Sequence, residues 1–407
     1  MYNIFDIHNG VSNKYINFIK SIENNHNISI IMTKYEENKP QVNIFNSTKI
    51  YYTKGLKIPF YNKIKIPNIN ETLLNNIINK EKYSIIFNGE FFWIYDILIK
   101  FKKKYNNILL FPSWHTDYEE YFKRYITTHL NIDIMMNVLY NNLKTNIFNG
   151  IIATGEYTCK KFLDYTKNIF NANELCIDNF NNSKIDLYKK GDILNFIYCG
   201  RISIEKNIDE IFKLLNTIDN NIKFNIHIIG DGPYLEELKM KYKNNKNEIF
   251  YYYEIKYDRI IDIYKKINNR IFIMCSETET FGKAPMEAGL TGVPIFVKKF
   301  NNIEYMYNDK NAFVFENNFD FINNLIFFLN ITQSEREKII YNSINNIKKY
   351  DQKKIFKEWE LFLLNVNNID NINNIDKIDN INNKTNNENT FIHFMKLIKC
   401  SMNIISE

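Results

Sequence analysis

The apolar residues of this chain fall into short runs, separated by stretches in which they recur every three or four positions. Leu194–Cys199, Phe224–Ile229, Ile249–Tyr252, Ile271–Met274 and Pro294–Val297 are such runs. A near-continuous apolar run of this length predicts a strand buried on both faces, as in a parallel sheet. Helical spacing fills the gaps over Ile208–Leu215, Tyr234–Tyr242 and Asp258–Ile267, with a further helix after Pro285. Strict alternation of strand and helix predicts a parallel α/β sheet with helices on both faces. Ligands of such sheets bind at the carboxyl ends of the strands. Gly200, Gly230 and Gly282 all fall at those ends.

The first half repeats the pattern less regularly. Ser29–Met32, Ser84–Phe87, Ile108–Phe111 and Ile151–Ala153 are predicted strands, and Tyr15–Ile22, Glu71–Ile78 and Trp93–Lys103 predicted helices. Asn9–Ser12, with Gly10, is expected as the turn between the first strand and the first helix. Leu175–Lys190 is polar and aperiodic and is expected to connect two domains, 1–180 and 181–350. Past Val314 the pattern turns helical, over Phe321–Leu329, Gln333–Lys349 and Lys353–Leu364. The last of these (351–365) is expected to pack back toward the N-terminal domain. From Asn365 to Thr390 the chain repeats Asn-Ile-Asp units. Such a polar tract buries too little apolar area to offset its ordering and is expected to be disordered. The short apolar end Phe391–Ile405 is expected to dock on the protein or, as the alternative, to lie on a membrane surface.

Composition narrows this picture only a little. The chain has 407 residues, room for two domains with their own cores. Its 52 Lys and Arg against 46 Asp and Glu leave a net charge of +6, too mild for a nucleic-acid footprint. A basic groove for a diphosphate, or contact with an anionic membrane surface, would fit that charge. The five cysteines, Cys159, Cys176, Cys199, Cys275 and Cys400, show no paired spacing and read as reduced thiols. The N-terminus lacks a signal-peptide pattern, and no run approaches the roughly 20 apolar residues that span a bilayer. A cytoplasmic protein, with peripheral membrane contact left open, is the expectation. No D-x-D at a strand end, Walker A, G-x-S-x-G or H-E-x-x-H pattern occurs, so neither a metal nor a resident cofactor is expected.

The candidate chemistry concentrates in Ser276–Ala288. Glu279 and Glu287 lie eight residues apart around Phe281, Gly282 and Lys283, after a strand and at the start of a helix. Backbone N–H groups at a helix N-terminus receive an anion. Gly282 lets the backbone approach it closely, and Pro285 sits in the first turn, where its missing N–H costs nothing. Carboxylates on either side are suited to accept hydrogen bonds from hydroxyls. Phosphate in the middle and hydroxyls at the flanks describe a nucleotide sugar. Arg201 and Lys206 follow another strand and can meet one diphosphate, each such bond contributing roughly 1.5–3 kcal/mol in a shielded cleft. Gly230-Asp231-Gly232-Pro233 reads equally as a phosphate turn or as an ordinary tight turn. In the first half, His115, followed by Thr116, Asp117 and Tyr121, stands at a strand's carboxyl end and could contact a sugar hydroxyl.

These residues resemble the retaining glycosyltransferases of the GT-B fold, family 4, over most of residues 1 to about 365 and most strongly over Leu194–Val297. The resemblance implies two Rossmann-like doubly wound domains facing a cleft, with C-terminal helices. Gly200-Arg201-Ile202-Ser203-Ile204-Glu205-Lys206 is similar to the family's donor-diphosphate loop, implying Arg201 and Lys206 as diphosphate ligands. Glu279 would hold hydroxyls of the transferred sugar and Glu287 those of the ribose. Gly10, Gly200, Gly230, Phe281, Gly282 and Lys283 would line the donor, and His115, Arg201, Lys206 and Glu279 would serve catalysis. Ile58–Tyr61 and His115–Tyr121 look like the branch that contains glycolipid synthases. The implied reaction moves a sugar from a UDP- or GDP-sugar to a lipid or glycan hydroxyl with retention and without a metal. Alternatives are an epimerase- or phosphorylase-like enzyme of the same fold, or a non-catalytic nucleotide-sugar-binding protein. The chain departs from the family in lacking a glycine over Cys176–Phe180 and in carrying aromatics at Phe250–Tyr253.

Overall fold

A computed structural model describes residues 10–33, 48–53, 55–58, 61–67, 69–81, 85–88, 95–115, 140, 143, 147–178, 188, 191–255, 259–300 and 303–373. The chain divides into two units, Met1–Ala172 with Phe356–Glu407, and Asn173–Ile355. The expected first strand, Pro59 and Phe60, Thr116 to Tyr121, and the segment 374–407 lie outside the described residues.

The first unit contains α1 (Gly10–Ile22), β1 (Ser29–Thr33), β2 (Lys49–Thr53), β3 (Gly55–Ile58), β4 (Tyr61–Pro67), α2 (Glu71–Glu81), β5 (Ile85–Asn88), α3 (Tyr95–Lys104), β6 (Leu109–Trp114), β7 (Ile151–Ala153), α4 (Glu156–Phe162) and β8 (Ile169–Asn171). Strands β5-β6-β7-β8 form a parallel sheet in that order, β1 and β2 pair in parallel, and β3 and β4 form an antiparallel pair. The helix expected from Tyr15 begins at Gly10, so Gly10–Ser12 form its first turn and not a loop. The strand expected to end at Phe111 continues to Trp114, passing from β5 to β7 as its partner after Pro112. A proline, which has no N–H to donate, is tolerated where a strand changes partners.

The second unit contains β9 (Leu194–Cys199), α5 (Ile208–Leu215), β10 (Phe224–Ile229), α6 (Leu235–Lys241), β11 (Ile249–Tyr252), α7 (Ile260–Lys266), β12 (Arg270–Met274), α8 (Lys283–Leu290), β13 (Ile295–Lys298), β14 (Phe313–Phe315), α9 (Asn318–Asn330), α10 (Gln333–Lys348) and the start of α11 (Gln352–Asn373). Its sheet is parallel, in the order β11-β10-β9-β12-β13-β14. Neighbouring positions along each strand face opposite cores. Ile197, Cys199, Phe272, Met274, Ile295 and Val297 belong to one cluster. Phe196, Tyr198, Ile271, Ile273 and Phe296 belong to the other. Both faces are apolar, which is why these strands read as continuous runs and not as alternation. Thr332 and Glu335 cap α10 reciprocally, each side chain bonding the other's backbone N–H.

The connection expected over Leu175–Lys190 starts on backbone that is buried and hydrogen-bonded. Leu175 is fully buried, its N–H donates to Tyr350 O at 2.8 Å, and Gln352 N–H donates to Leu175 O at 2.9 Å. The tract expected to be disordered from Asn365 is helical as far as Asn373. Extending a formed helix fixes one residue per hydrogen bond and avoids the nucleation cost, and no Gly or Pro interrupts α11. Among the described residues no helix is long and apolar enough to cross a membrane.

From Phe356 onward, α11 completes the core of the first unit. Trp359 is fully buried and stacks on Phe18 with ring centroids 4.0 Å apart. Phe356, Trp359 and Leu363 join Tyr15, Ile19, Phe111 and Ile152 in one cluster. Trp359→Ala leaves a cavity under α1 and is expected to cost about 3–5 kcal/mol of stability. Urea unfolding followed by circular dichroism measures it.

Candidate functional site

The strand order of the second unit reverses between β9 and β12. The connection from β9 leads to β10 on one side, and β12 lies on the other. Loops leaving the carboxyl ends of such a strand pair diverge, and the crevice they leave is where open α/β sheets bind ligands. The loop after β9 carries Gly200, Arg201 and Lys206. The loop after β12 carries Ser276, Glu279, Phe281 and Gly282.

An ion pair joins the two loops. Lys206 Nζ donates to Glu279 Oε1 at 2.6 Å, the side chains being 21% and 16% exposed. Lys206 ends a short 3-10 turn (Ile204–Lys206), after which Asn207 adopts φ +50° and opens α5. Within the turn Ser203 Oγ donates to Glu205 Oε1 at 2.6 Å. Arg201 is exposed on the same loop, and its carbonyl accepts a 2.7 Å bond from the Tyr198 hydroxyl.

On its other side the β9 loop interlocks with the loop after β10. Gly200 N–H donates to Ile229 O at 2.9 Å and Ile202 N–H to Asp231 O at 2.9 Å. A Cβ on Gly230 would lie 1.9 Å from Gly200 O, and one on Gly232 would lie 2.1 Å from Ile202 O. Close backbone approach therefore requires glycine at both positions of Gly230-Asp231-Gly232-Pro233.

The β12 loop ends at Gly282, φ +65°, which caps α8 with no side-chain hydrogen bond. Pro285 lies in the first turn of α8, as expected, where no intrahelical donor is needed. Phe281 is buried, its ring meeting Tyr350 edge-on at 5.0 Å, so only its backbone is available to line a ligand. Lys283 opens the helix, and its ammonium bonds Glu174 Oε1. Glu287 is 5% exposed. Burial, and after it the charge of Glu287, push the Cys199 thiol up to about 12. Burial raises the Cys275 thiol still further. Both cysteines are inert packing thiols. Ser276 Oγ is buried with no hydrogen-bond partner among the described residues, an uncompensated polar atom at the edge of the crevice.

His115 belongs to the first unit and follows β6 directly. It is 5% exposed, and both ring nitrogens are engaged: Nε2 with the Tyr15 hydroxyl at 2.6 Å and Nδ1 with Thr154 Oγ1 at 2.5 Å. Tyr15 also bonds Ser113 Oγ. The buried Lys14 donates to Thr154 Oγ1 at 2.9 Å and to Ala172 O at 2.8 Å. His115, read from the sequence as a contact for a sugar hydroxyl, is held inside this polar network. Gly10 lies in the same unit, at the start of α1.

Glu174, Ser276 and the Lys14–Thr154 pair are absent from the sequence-derived candidates. Ser276 had a signal, opening the stretch Ser276–Ala288 two residues past a buried strand; the others did not. Among the described residues no group of three or more His, Cys, Asp and Glu side chains is placed to hold a metal ion.

Residues 180–346 match the family model for Glycosyl transferases group 1. The span holds Arg201, Lys206, Glu279 and Glu287. Sulfoquinovosyl transferase SQD2 of Arabidopsis thaliana is 29% identical over 107 residues, 26% of this chain and 20% of that protein. A sucrose-phosphate synthase from Thermosynechococcus elongatus superposes with a TM-score of 0.66 at 12% identity, covering 89% of this chain and 94% of that one. The lipopolysaccharide outer core galactosyltransferase WaaB gives 0.63 at 14% identity, with 88% and 96% covered. HepE of Anabaena, solved with UDP-glucose, gives 0.62 at 13%, with 87% and 96% covered. The chain spans 57% of TarM, a further structural neighbour at 18% identity. The structural likenesses show the fold alone: Rossmann-like α/β units, as in GT-B proteins.

The glycine interlock gives a direct prediction. Gly232→Ala must push its Cβ off the Ile202 carbonyl and is expected to destabilise the second unit by roughly 1–3 kcal/mol. Thermal unfolding beside the unaltered protein reads the loss.

Proposed function

We propose that this chain is a retaining glycosyltransferase that moves a sugar from a nucleotide-sugar donor to an acceptor hydroxyl. The observation that carries the reading is the Lys206–Glu279 pair, which joins two loops at the switch point beside the Gly282 helix start. It places a cation, a carboxylate and free backbone donors together, the three groups that a diphosphate linked to a sugar requires. The group 1 match over this span and the UDP-glucose held by HepE support the donor class.

In this reading the bond from the anomeric carbon to the leaving phosphate oxygen breaks, and the acceptor oxygen bonds that carbon on the same face. The acceptor's proton passes to the departing phosphate. Negative charge grows on the diphosphate and meets Lys206, Arg201 and the N-terminus of α8, preorganised as in an oxyanion hole. The helix end contributes about 0.3–1 kcal/mol, up to ~2 when partly buried, so the side-chain cations carry more of the effect. These groups, and not a metal ion, are taken as the charge that meets the phosphate. Glu279, whose Oε1 holds Lys206, is assigned to hydroxyls of the transferred sugar, and Glu287 to those of the ribose. His115 takes part by exchanging Tyr15 or Thr154 for a substrate hydroxyl.

For the donor we propose a UDP- or GDP-sugar. For the acceptor we propose a lipid or glycan, met at a membrane surface in the lipid case.

Glu279→Gln and Lys206→Ala are each expected to lower turnover by roughly 10²–10³-fold, the loss seen when one oxyanion-hole donor is removed. Release of nucleoside diphosphate from a panel of UDP- and GDP-sugars with lipid and glycan acceptors measures it. Near-normal turnover in either variant overturns the assignment.

A further inference from the structure

Lys283 stands where a cation is disfavoured. It is the first residue of α8, a helix of eight residues with no acidic side chain in its first turn. Positive charge at that end opposes the helix dipole. Its ammonium is met by Glu174 Oε1, while Glu174 Oε2 accepts from Gln352 Nε2 at 2.6 Å. The two partners differ in freedom. Glu174 is fully buried, and the Leu175–Tyr350 and Gln352–Leu175 backbone bonds fix the segments on which it and Gln352 ride. Lys283 has a flexible four-carbon stem and a side chain 29% exposed. Helical side chains lean toward the N-terminus, which keeps that ammonium near the helix start whichever anion it serves.

We propose that Glu174 is an internal competitor for the diphosphate, a positioning residue that acts through Lys283. In the empty site the carboxylate holds the ammonium. When a diphosphate settles on the start of α8, Lys283 turns to a phosphate oxygen and Glu174 stays behind on Gln352. No covalent bond changes. The competition lowers affinity for the diphosphate that must depart after each transfer, so Glu174 governs product release. The inference rests on the proposed donor site and assigns it a regulating residue.

Glu174→Gln keeps an oxygen for Lys283 and removes the competing charge. Calorimetric titration at low salt should show it binding UDP roughly tenfold tighter than the unaltered protein, with a steeper salt dependence. Lys283→Met should bind UDP more weakly; this substitution at a part-exposed helix end keeps the inference open to refutation even if Glu174→Gln fails to fold. A purely structural role predicts weaker binding in both variants. Unchanged or weaker binding by folded Glu174→Gln, or unchanged binding by Lys283→Met, overturns the inference. Inorganic pyrophosphate, run in parallel, separates the two readings. If the unaltered protein binds pyrophosphate but neither UDP nor GDP, the nucleotide-sugar reading fails while the competition is still read on pyrophosphate. If it binds none of the three, both fail.

Discussion

The Lys206–Glu279 ion pair is the contact on which the candidate site depends. The sheet order makes the loops after β9 and β12 part, and this pair ties them across the opening. Its partners are 21% and 16% exposed, so water and salt screen it less than a surface pair. On the far side the β9 loop is fixed by the backbone interlock at Gly230 and Gly232. A loop held from both sides presents Arg201 and Lys206 in a set geometry, and preorganised charge is what a leaving diphosphate requires. Glu279 balances Lys206, and Glu174 balances Lys283.

Much of the second unit was legible in the sequence, for a physical reason. Strands β9, β10, β12 and β13 are buried on both faces, so Phe196 and Ile197, or Ile271 and Phe272, are apolar at successive positions even though they face different cores. Such runs are hard to mistake when turn residues bound them. Gly282 and Pro285 then placed the start of α8. Three residues show no period, so β7 was readable only as the wholly buried apolar run Ile151–Ala153, while β8 and β14, buried less completely, escaped notice. The β3–β4 pair escaped because Asn62, Lys63 and Lys65 interrupt its apolar pattern.

The site was legible as a set of loops and not as a set of partners. Lys206 and Glu279 are 73 positions apart and Glu174 and Lys283 are 109 apart, and no local spacing signals such pairs. His115 shows the same limit. Its place at a strand end was readable, but Tyr15 and Thr154, which occupy both ring nitrogens, come from distant segments. The helix α11 erred in the opposite sense. An Asn-rich composition suggested disorder, yet a helix already anchored by Trp359 extends at small cost through residues that would not have started one.

Hydrogen exchange with and without UDP tests the central claim most directly, because it reads where a diphosphate is held without requiring turnover or a known acceptor. The account predicts slowed exchange at the β9 loop, residues 200–207, and at the β12 loop and first turns of α8, residues 276–288, with loss of that protection in Lys206→Ala. Protection confined to other segments, or equal protection in Lys206→Ala, would contradict it.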